Sequence, residues 1–304
     1  MSSGEISSAV VLSANHNLVC AGDQVTLRMT TAKASINQKS NTRVSGCKLS
    51  SIETSAANGE IFSMGASNVR IENVTFVGGG YHIQYKTVTN FSIKNTRHVS
   101  ITAKAASPIL VDSSAHGQII SPRIDGFTVP DGNWSVRLVA IVNSQFVDVS
   151  DPIIQGVDAS TVSGCGGVSF VGSTNSTLQG RISSLKNCDG VLTEASGMTP
   201  ARDINIDGTS STDHNSSPGA GKSANNGEGF DVFNSKRVHV SNVISRDNGI
   251  SSSNRQPGIE VSNSVEVNLS NCISNDSGSE GIKVDGSLGS RLWERAPTTM
   301  AESG

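Results

Sequence analysis

Three short segments of the chain carry charged residues at equivalent positions. The segments GFDVF, GIEVS and GIKVD begin at Gly229, Gly258 and Gly281. Their third residues are Asp231, Glu260 and Lys283. If the segments stack as neighbouring strands, these side chains come within about 5 Å of each other. Two carboxylates at that distance can perturb each other's pKa or share a cation such as Ca²⁺.

The charged segments belong to a longer repeat. GFDVFNSKRVHVSNVISRDNG, which begins at Gly229, is followed by GIEVSNSVEVNLSNCISNDSG, which begins at Gly258. Apolar and polar residues alternate in each copy, which is the pattern of a strand with one buried face. A repeat of a few tens of residues is typical of a solenoid, whose units bury their apolar faces by stacking.

Two series of apolar positions advance together along the chain and predict an all-β fold, a parallel β-helix of roughly 8 to 10 coils. The first ladder contains Val69, Phe91, Ile119, Val147, Leu178, Ile204, Val238 and Val267. The second ladder contains Tyr81, Ile109, Val136, Val168, Val191, Phe230, Ile259 and Ile282. An antiparallel sandwich is the alternative, but hairpins give no reason for the same face and turn to recur in phase.

The corners that follow the strands of the first ladder are expected to be structural. They hold residues that tolerate a left-handed backbone. These are Gly46, Asn73, Asn95, Ser121, Asp151, Gly208, Asn242 and Asn271.

Alternation also assigns the outward positions of the second ladder. They are Asp231, Phe233, Glu260, Lys283, Asp285, Glu194, Leu192, Arg137, Asp112, His82 and Gln84. Glu194, Asp231, Glu260 and Lys283 are therefore expected on four consecutive coils. For each of these charges, a solvated strand face is the plain alternative to a functional site.

Composition narrows the class of protein. The 304 residues include 35% hydrophobic and 4% aromatic residues with 31 glycines, which suits a narrow core better than a large globular one. The net charge of −3 gives no basic footprint for nucleic acid. No apolar run is long enough to span a membrane, and no signal-peptide pattern begins the chain.

The domain organisation follows the repeat. We expect residues 1–40 to form an N-terminal coil or cap, residues 41–286 the β-helix, and residues 287–304 a C-terminal cap or tail. The insert from Thr209 to Glu228 is the longest break, and such loops often carry function. The five cysteines show no metal-ligand spacing. Cys47 and Cys272 are interpreted as small buried apolar side chains.

Repeats such as GIEVSNSVEVNLSNCISN resemble the right-handed parallel β-helix repeats of the pectin-lyase-like superfamily, from about Asn41 to Gly286. That superfamily includes pectate lyases, polygalacturonases and some phage tailspikes. The resemblance implies a right-handed, single-stranded β-helix that acts on a polysaccharide and is secreted or on the cell surface. It favours a monomer, or a trimer for a tailspike-like module.

The resemblance to pectate lyases implies that acidic residues on successive coils hold Ca²⁺ against a uronate. It also implies that a basic residue removes the proton α to the uronate carboxylate. Asp231 and Glu260 are then the metal ligands. Lys283, Arg255 or Lys222 is the base or charge neutraliser. A lysine acts as base only if its pKa is lowered. The sequence favours this β-elimination slightly, because basic residues accompany the acids.

Hydrolysis by paired carboxylates is the alternative chemistry. NGEGFD, which ends at Asp231, is similar to the Asn-Thr-Asp-Gly-x-Asp segment of polygalacturonases, with Glu228 in place of the first aspartate. However, Gln256-Pro257 stands where that family has paired aspartates, and Ser279-Glu280-Gly281 stands where it has Gly-His-Gly. Glu228 is also interpreted as a turn residue, because acid-Gly pairs recur before the strands.

Substrate contacts are predicted along the outward face and the insert. The candidates are Glu194, Arg137, Phe233, His214 and Glu228. A non-catalytic glycan-binding module, including a tailspike-like fragment, is the opposing class. A tailspike-like module is expected to expose an apolar stripe along the coils. Leu110, Leu192 and Phe233 are the candidate members of such a stripe.

Overall fold

A computed structural model describes most of the chain. The described residues are 2–22, 25–31, 34–51, 60–102, 107–128, 135–158, 164–183, 185–186, 188–212, 227–248 and 256–293. Within them the regular structure consists of strands, and there is no helix. None of the described segments is therefore a helix able to cross a membrane.

The strands follow one another at short intervals. They are β1 (Ser2–Ile6), β2 (Ala9–Leu12), β3 (Asn17–Val19), β4 (Val25–Met29), β5 (Ser35–Gln38), β6 (Arg43–Ser45), β7 (Lys48–Ser51), β8 (Ile61–Met64), β9 (Arg70–Glu72), β10 (Thr75–Gly78), β11 (Ile83–Lys86), β12 (Thr89–Lys94), β13 (Arg97–Thr102), β14 (Ile109–Asp112), β15 (Ala115–Ile120), β16 (Arg123–Thr128), β17 (Ser135–Val142), β18 (Gln145–Asp158), β19 (Gly164–Val171), β20 (Thr174–Ser183), β21 (Leu185–Lys186), β22 (Asp189–Glu194), β23 (Arg202–Asp207), β24 (Ser210–Thr212), β25 (Phe230–Phe233), β26 (Lys236–Ser241), β27 (Ile244–Arg246), β28 (Ile259–Ser262), β29 (Asn268–Ser270), β30 (Ile273–Asn275), β31 (Ile282–Asp285) and β32 (Arg291–Trp293).

The strands stack in parallel as three ladders, which confirms the predicted β-helix. The first ladder contains β3, β6, β9, β12, β15, β18, β20, β23, β26, β29 and β32. The second ladder is the 11-stranded sheet β2-β5-β8-β11-β14-β17-β19-β22-β25-β28-β31. A third ladder begins with the pairing of β1 with β4 and continues to β30. The long strands β18 and β20 belong to both the first and the third ladder, because each runs through the corner between them. The stack thus begins within the first 40 residues.

Inward side chains fill the space between the ladders. The largest fully buried ones are Tyr85, Phe76, Phe127, Phe170, Phe230, Met29 and several isoleucines. Stacked Val, Ile and Leu supply most of the remaining core. Each strand contributes alternate residues, so one coil exposes its apolar stripe unless a neighbour covers it.

Every predicted corner residue adopts a left-handed backbone. The φ angles of these eight residues lie between +50° and +68°. Several asparagines also bond across the coils, as where the Asn95 side-chain amide donates to Asn73 at 3.1 Å and the Asn271 amide donates to Asn242 at 2.7 Å. The corner therefore repeats because Asn and Gly adopt this conformation at low cost.

Two members of the predicted first ladder, Ile119 and Leu178, are misplaced by two residues, so four of its predicted pairings are wrong. Phe91 pairs with Gly117, while Ile119 pairs with Ile93. Likewise Leu178 pairs with Val149 and not with Val147. A shift of two residues keeps the same face inward, so alternation alone does not reveal it. Gly117 is compatible with this register because the Phe91 ring occupies the space that a side chain there would need.

The second ladder also differs at two positions. Ile83, not Tyr81, pairs with Ile109, and Val139, not Val136, pairs with Ile109 and Val168. In β17 several successive residues are buried, so the first apolar residue of the segment is a poor marker of register.

A second row of left-handed residues precedes the first ladder. We call it the leading row; it contains Asn15, Asn41, Asn68, Asn90, His116, Phe146, Asn175, Asp203, Arg237 and Glu266. Near its start, the Asn41 amide donates to Asn15 and the Asn68 amide to Asn41. This conformation costs an ordinary L-residue about 1–2 kcal/mol, and Asn much less. Phe146, with φ +54°, is therefore a strained member of the row.

Two disulfides correct the interpretation of the cysteines. Cys20 pairs with Cys47, and Cys165 pairs with Cys188, with Cα–Cα distances of 5.0 and 4.3 Å. Cys47 is buried as expected, but it is a cross-link between coils and not a free apolar side chain. Cys272 is free and partly buried.

His82 is buried, although alternation predicted it to face outward. It precedes Ile83, where β11 begins, and its ring turns into the core beside His98 and Phe76. The two histidine Nδ1 atoms lie 2.8 Å apart. Burial lowers the pKa of His82 to about 4, so the pair is neutral at pH 7. His116, in contrast, is exposed.

Gly117→Ala tests the correction to the first ladder. A Cβ at residue 117 would lie 1.9 Å from the Phe91 ring, so we expect the free energy of unfolding to fall by roughly 1–3 kcal/mol. Urea denaturation measures it. Adding Phe91→Leu should recover part of the loss, because the smaller side chain makes room. Strictly additive effects of the two substitutions would contradict this contact.

Candidate functional site

The predicted row of charges lies on the outward face of the second ladder. Asp231 pairs with Glu260, and Glu260 pairs with Lys283. On the coil before Asp231 the row is occupied by Leu192, not by Glu194. Glu194 lies two residues further along its strand, beside Val171. The four charges thus lie on consecutive coils as predicted, but Glu194 is two residues out of register, and only the other three stand in one row.

Behind this row lies a buried pair of carboxyl groups. Asp189 is 4% exposed and Glu228 is 3% exposed. They lie two residues before Val191 and Phe230, which pair in the second ladder. The Gly227 amide donates to Asp189 Oδ1 at 2.9 Å, and the Glu228 side chain hydrogen-bonds Asp189. A hydrogen bond between two carboxyl groups requires a proton on one of them.

The pair holds that proton firmly. Burial, followed by the charge of Asp189 and the hydrogen bond to it, keeps the pKa of Glu228 well above its usual range. Burial also raises the pKa of Asp189, while its hydrogen bonds to Glu228 and Gly227 oppose the rise. Glu228 is thus the protonated donor and Asp189 the acceptor. The interpretation of Glu228 as a simple turn residue does not account for this arrangement.

Asp231 also favours its protonated form. The residue is only partly exposed, and burial is the main reason that the pKa of its carboxyl group is well above the usual range. The charges of Asp189 and Glu260 add to the rise, while Lys283 opposes it. A carboxyl group held neutral near the surface is able to donate a proton.

Glu260 has a different environment, because its Oε1 lies 2.8 Å from the Lys283 Nζ. The hydrogen bond to Glu260 and its charge raise the pKa of Lys283. A lysine with a raised pKa is a poor base, so this contact favours the charge-neutralising role of Lys283 over the role of base. Asp231 and Glu260 are thus neighbouring carboxyl groups in unlike surroundings.

Arg137, on β17, and Glu194, on β22 next to the strand of Asp231, bind each other as an ion pair. Arg137 pairs with Gly166, which in turn pairs with Asp189. Because Gly166 has no side chain, the Asp189 charge reaches Arg137 and partly offsets the lowering of the Arg137 pKa by burial. The two predicted substrate ligands are therefore half-buried partners of each other.

Phe233 is exposed two residues beyond Asp231, as predicted for a substrate contact. Three other candidates, Arg255, Lys222 and His214, lie outside the described residues. Leu192, which was expected to face outward, is 9% exposed. The predicted apolar stripe is therefore limited on this coil.

The described residues do not form a ready calcium site. They contain no cluster of three or more His, Cys, Asp or Glu side chains arranged to hold a metal. Glu260 is paired with Lys283, and Asp231 favours a proton, whereas Ca²⁺ needs six to eight oxygen ligands. Binding of Ca²⁺ by Asp231 and Glu260 stays a prediction that requires this ion pair to rearrange.

Asp189 is the residue that sequence reasoning missed. The acid-Gly pairs Asp189-Gly190 and Glu228-Gly229 were visible in the sequence. Their roles were not, because the two acids are separated by the insert and meet only through the pairing of β22 with β25. Asp189 also follows Cys188, whose disulfide partner Cys165 precedes Gly166. The cross-link therefore fixes the start of the strand that carries Asp189.

No protein-family model matches the chain, and a search of curated proteins gives no significant match. Among solved structures, the surface protein and adhesin PfbA of Streptococcus pneumoniae is similar, with 14% identity over 93% of this chain and 90% of that chain and a TM-score of 0.55. This similarity and the three ladders agree. The chain has a parallel β-helix fold.

Two further solved structures cover most of this β-helix. The A-module of the Azotobacter vinelandii mannuronan C-5 epimerase AlgE4 has 11% identity, a TM-score of 0.46 and coverage of 98% of this chain and 91% of its own. Tailspike protein 3 of bacteriophage CBA120 has 10% identity and a TM-score of 0.49 over 95% of this chain. The chain spans only 50% of that tailspike.

Glu228→Gln tests the buried carboxyl pair. A carboxyl group whose pKa is raised on folding stabilises the fold below its unfolded pKa, and this contribution is lost as the pH rises through the folded value. The wild type should therefore lose more stability between pH 5 and pH 8 than Glu228→Gln does. The difference is about 1.4 kcal/mol per unit of pKa change. Urea denaturation at the two pH values measures it.

Glu280→Gln is the matched control, because Glu280 also precedes a glycine at the start of a strand of the second ladder. Glu280 is exposed, and its pKa is lowered by hydrogen bonds to backbone and to Ser279. Its contribution is complete above the unfolded pKa, so this variant should keep the wild-type pH dependence. Equal pH dependence in Glu228→Gln and wild type would contradict the protonated pair.

Proposed function

We propose that the chain is a secreted or surface polysaccharide-cleaving enzyme that hydrolyses glycosidic bonds on the outward face of the second ladder. The observation that carries the proposal is the pairing of Asp231, whose environment favours the protonated form, with Glu260, which is in an ion pair with Lys283. Two neighbouring carboxyl groups in unlike environments are what glycoside hydrolysis requires.

Asp231 is proposed as the general acid. Its carboxyl group donates a proton to the glycosidic oxygen while the bond from that oxygen to the anomeric carbon breaks. The buried Asp189–Glu228 pair supports this role, because the Asp189 charge helps to keep the proton on Asp231. Activity should accordingly fall as the pH rises through the raised pKa of Asp231.

Glu260 is proposed as the nucleophile. Neighbouring strands are about 4.8 Å apart, which is closer to the roughly 5 Å separation of carboxyl groups in retaining glycosidases than to the roughly 6.5–9.5 Å of inverting ones. The Glu260 carboxylate forms an ester bond with the anomeric carbon as the glycosidic bond breaks. Water then attacks that carbon and releases the sugar from Glu260, while the Asp231 carboxylate takes the proton of the water. Lys283 keeps the Glu260 carboxylate aligned through their 2.8 Å contact.

β-Elimination of a uronate polysaccharide is the second candidate. It is favoured by Lys283, whose side chain is 39% exposed and can approach a substrate carboxylate from the solvent side. In that chemistry Lys283 neutralises the uronate, and the base is another group, such as the predicted Arg255 or Lys222. Ca²⁺ dependence belongs to this candidate.

The disulfides support the proposed location. Cys20–Cys47 and Cys165–Cys188 both join neighbouring coils. Disulfides form and persist in oxidising compartments such as the cell exterior and periplasm. A polysaccharide outside the cytoplasm is therefore the partner that fits both the carboxyl groups of the second ladder and the disulfides of the chain.

Asp231→Asn tests the proposal. On a panel of neutral and uronate polysaccharides, wild type should release reducing ends without a rise in absorbance near 235 nm. Asp231→Asn should be about 10²- to 10⁴-fold slower, because the amide cannot donate the proton of a general acid. A rise near 235 nm that a chelator abolishes would instead support Ca²⁺-dependent elimination.

Asp112→Asn is the control, because Asp112 lies on the second ladder several coils away from the acid row. It should keep wild-type activity. Reducing-end release that persists in Asp231→Asn would overturn the assignment of the general acid. Binding of a polysaccharide with no bond cleavage in either assay would identify a glycan-binding module.

A further inference from the structure

An aromatic pair interrupts the leading row on the first ladder, away from Asp231 and Glu260 on the second ladder. His116 and Phe146 lie on neighbouring coils, next to the paired Gly117 and Val147. Their rings are stacked, with centroids 4.9 Å apart and an interplanar angle of 5°. Both residues are exposed, and Phe146 is 44% exposed. The four members of the row before them are asparagines, and the members after them are Asn175, Asp203, Arg237 and Glu266.

The fold itself gives no reason for a phenylalanine at this position. Phe146 has a left-handed backbone, which is strained for a bulky residue. Its exposed ring contributes little to the core, and the stacking with His116 at best offsets the strain. Asparagine is the residue that the same conformation accepts at low cost. Strain kept at an exposed site is a sign of function.

The surface beside the pair is polar and hydrogen-bonding. Two residues after His116 and Phe146, the outward row contains Gln118, Asp148 and Thr177 on successive coils. All three are exposed, and the Thr177 hydroxyl donates to Asp148 Oδ1 at 2.8 Å. The surface thus joins an aromatic pair to an amide, a carboxylate and a hydroxyl, with both donors and acceptors.

We propose that His116 and Phe146 form a second carbohydrate-binding surface, which takes an uncharged pyranose unit of a polysaccharide. The apolar face of the sugar packs on the aromatic pair, and its hydroxyl groups bond to Gln118, Asp148 and Thr177. The Asp148 carboxylate would repel a uronate, so neutral units are the ligand. The proposal rests on the proposed function, because the ligand is part of the polymer that is cleaved at Asp231 and Glu260.

The test uses Asp231→Asn as a common background, so that bound polymer is not cleaved. Binding to insoluble β-1,4-glucan, α-1,3-glucan and xylan is compared with binding to alginate and polygalacturonate. In this background Phe146→Asn should bind the neutral polymer at least about tenfold more weakly, while its Tm stays equal or rises because the strain is relieved. His116→Asn gives a second reading and should also weaken binding.

Ile153→Asn is the matched control. Ile153 lies on the same strand as Phe146 and is 40% exposed, but it faces outward from the third ladder. This variant should bind as the background does. Unchanged binding in Phe146→Asn and His116→Asn would overturn the proposal, as would a fall in the Tm of Phe146→Asn.

The background also separates the two proposals. If the Asp231→Asn protein binds a neutral polymer, and adding Phe146→Asn or His116→Asn leaves that binding unchanged, only the proposal of the second surface is overturned. If it binds none of the polymers, the second surface and the polysaccharide-cleaving function are both overturned.

Discussion

The parallel pairing of successive coils is the constraint on which the rest of the structure depends. Each strand bonds to the equivalent strand of the next coil, at the spacing of about 4.8 Å that backbone hydrogen bonds impose. A residue is therefore always in contact with its counterparts above and below. Isoleucine above isoleucine fills the core in this way, as from Ile259 to Ile282. The same pairing decides which polar groups meet.

Stacking of identical positions brings like charges together unless the sequence prevents it. Where strands β22 and β25 of the second ladder begin, Asp189 and Glu228 meet in the protein interior, where two charges cannot be accommodated. The pair resolves this conflict by keeping a proton on Glu228. Asp231 and Glu260 meet closer to solvent, where Lys283 on the next coil compensates for Glu260. The protonation and ion pairing of these carboxyl groups thus follow from how each coil offsets the charge of its neighbour.

The corners depend on the same geometry. A solenoid must turn at the same place in every coil, and left-handed residues allow the turn without interrupting the ladders. Asparagine serves both purposes, because its backbone accepts the conformation and its amide bonds to the next asparagine. Phe146 adopts the left-handed conformation, at a cost in backbone strain, and its side chain has no amide to bond to the next coil. That exception is what separates the aromatic surface from the structural part of the row.

The fold could be predicted because the sequence of each coil repeats the same short pattern. Alternating apolar residues showed which faces are buried, and Asn or Gly at fixed places marked the corners, all eight of which are left-handed. Asp231, Glu260 and Lys283 could also be placed together, since they follow equivalent glycines in uninterrupted repeats. A short, regular spacing leaves little freedom in register.

Register beyond these repeats was decided only by the tertiary structure. Phe91 faces Gly117 because the ring fills the space that glycine leaves, and this compensation acts between coils and not along the chain. The disulfides and the Asp189–Glu228 pair join residues separated by loops of irregular length, so spacing could not match them. His82 turned inward for a similar reason, since its partners His98 and Phe76 lie on another ladder. The sequence by itself determined which residues repeat and which faces are buried. Only the stacked structure decided which side chains meet, because pairing between coils sets those contacts and their protonation.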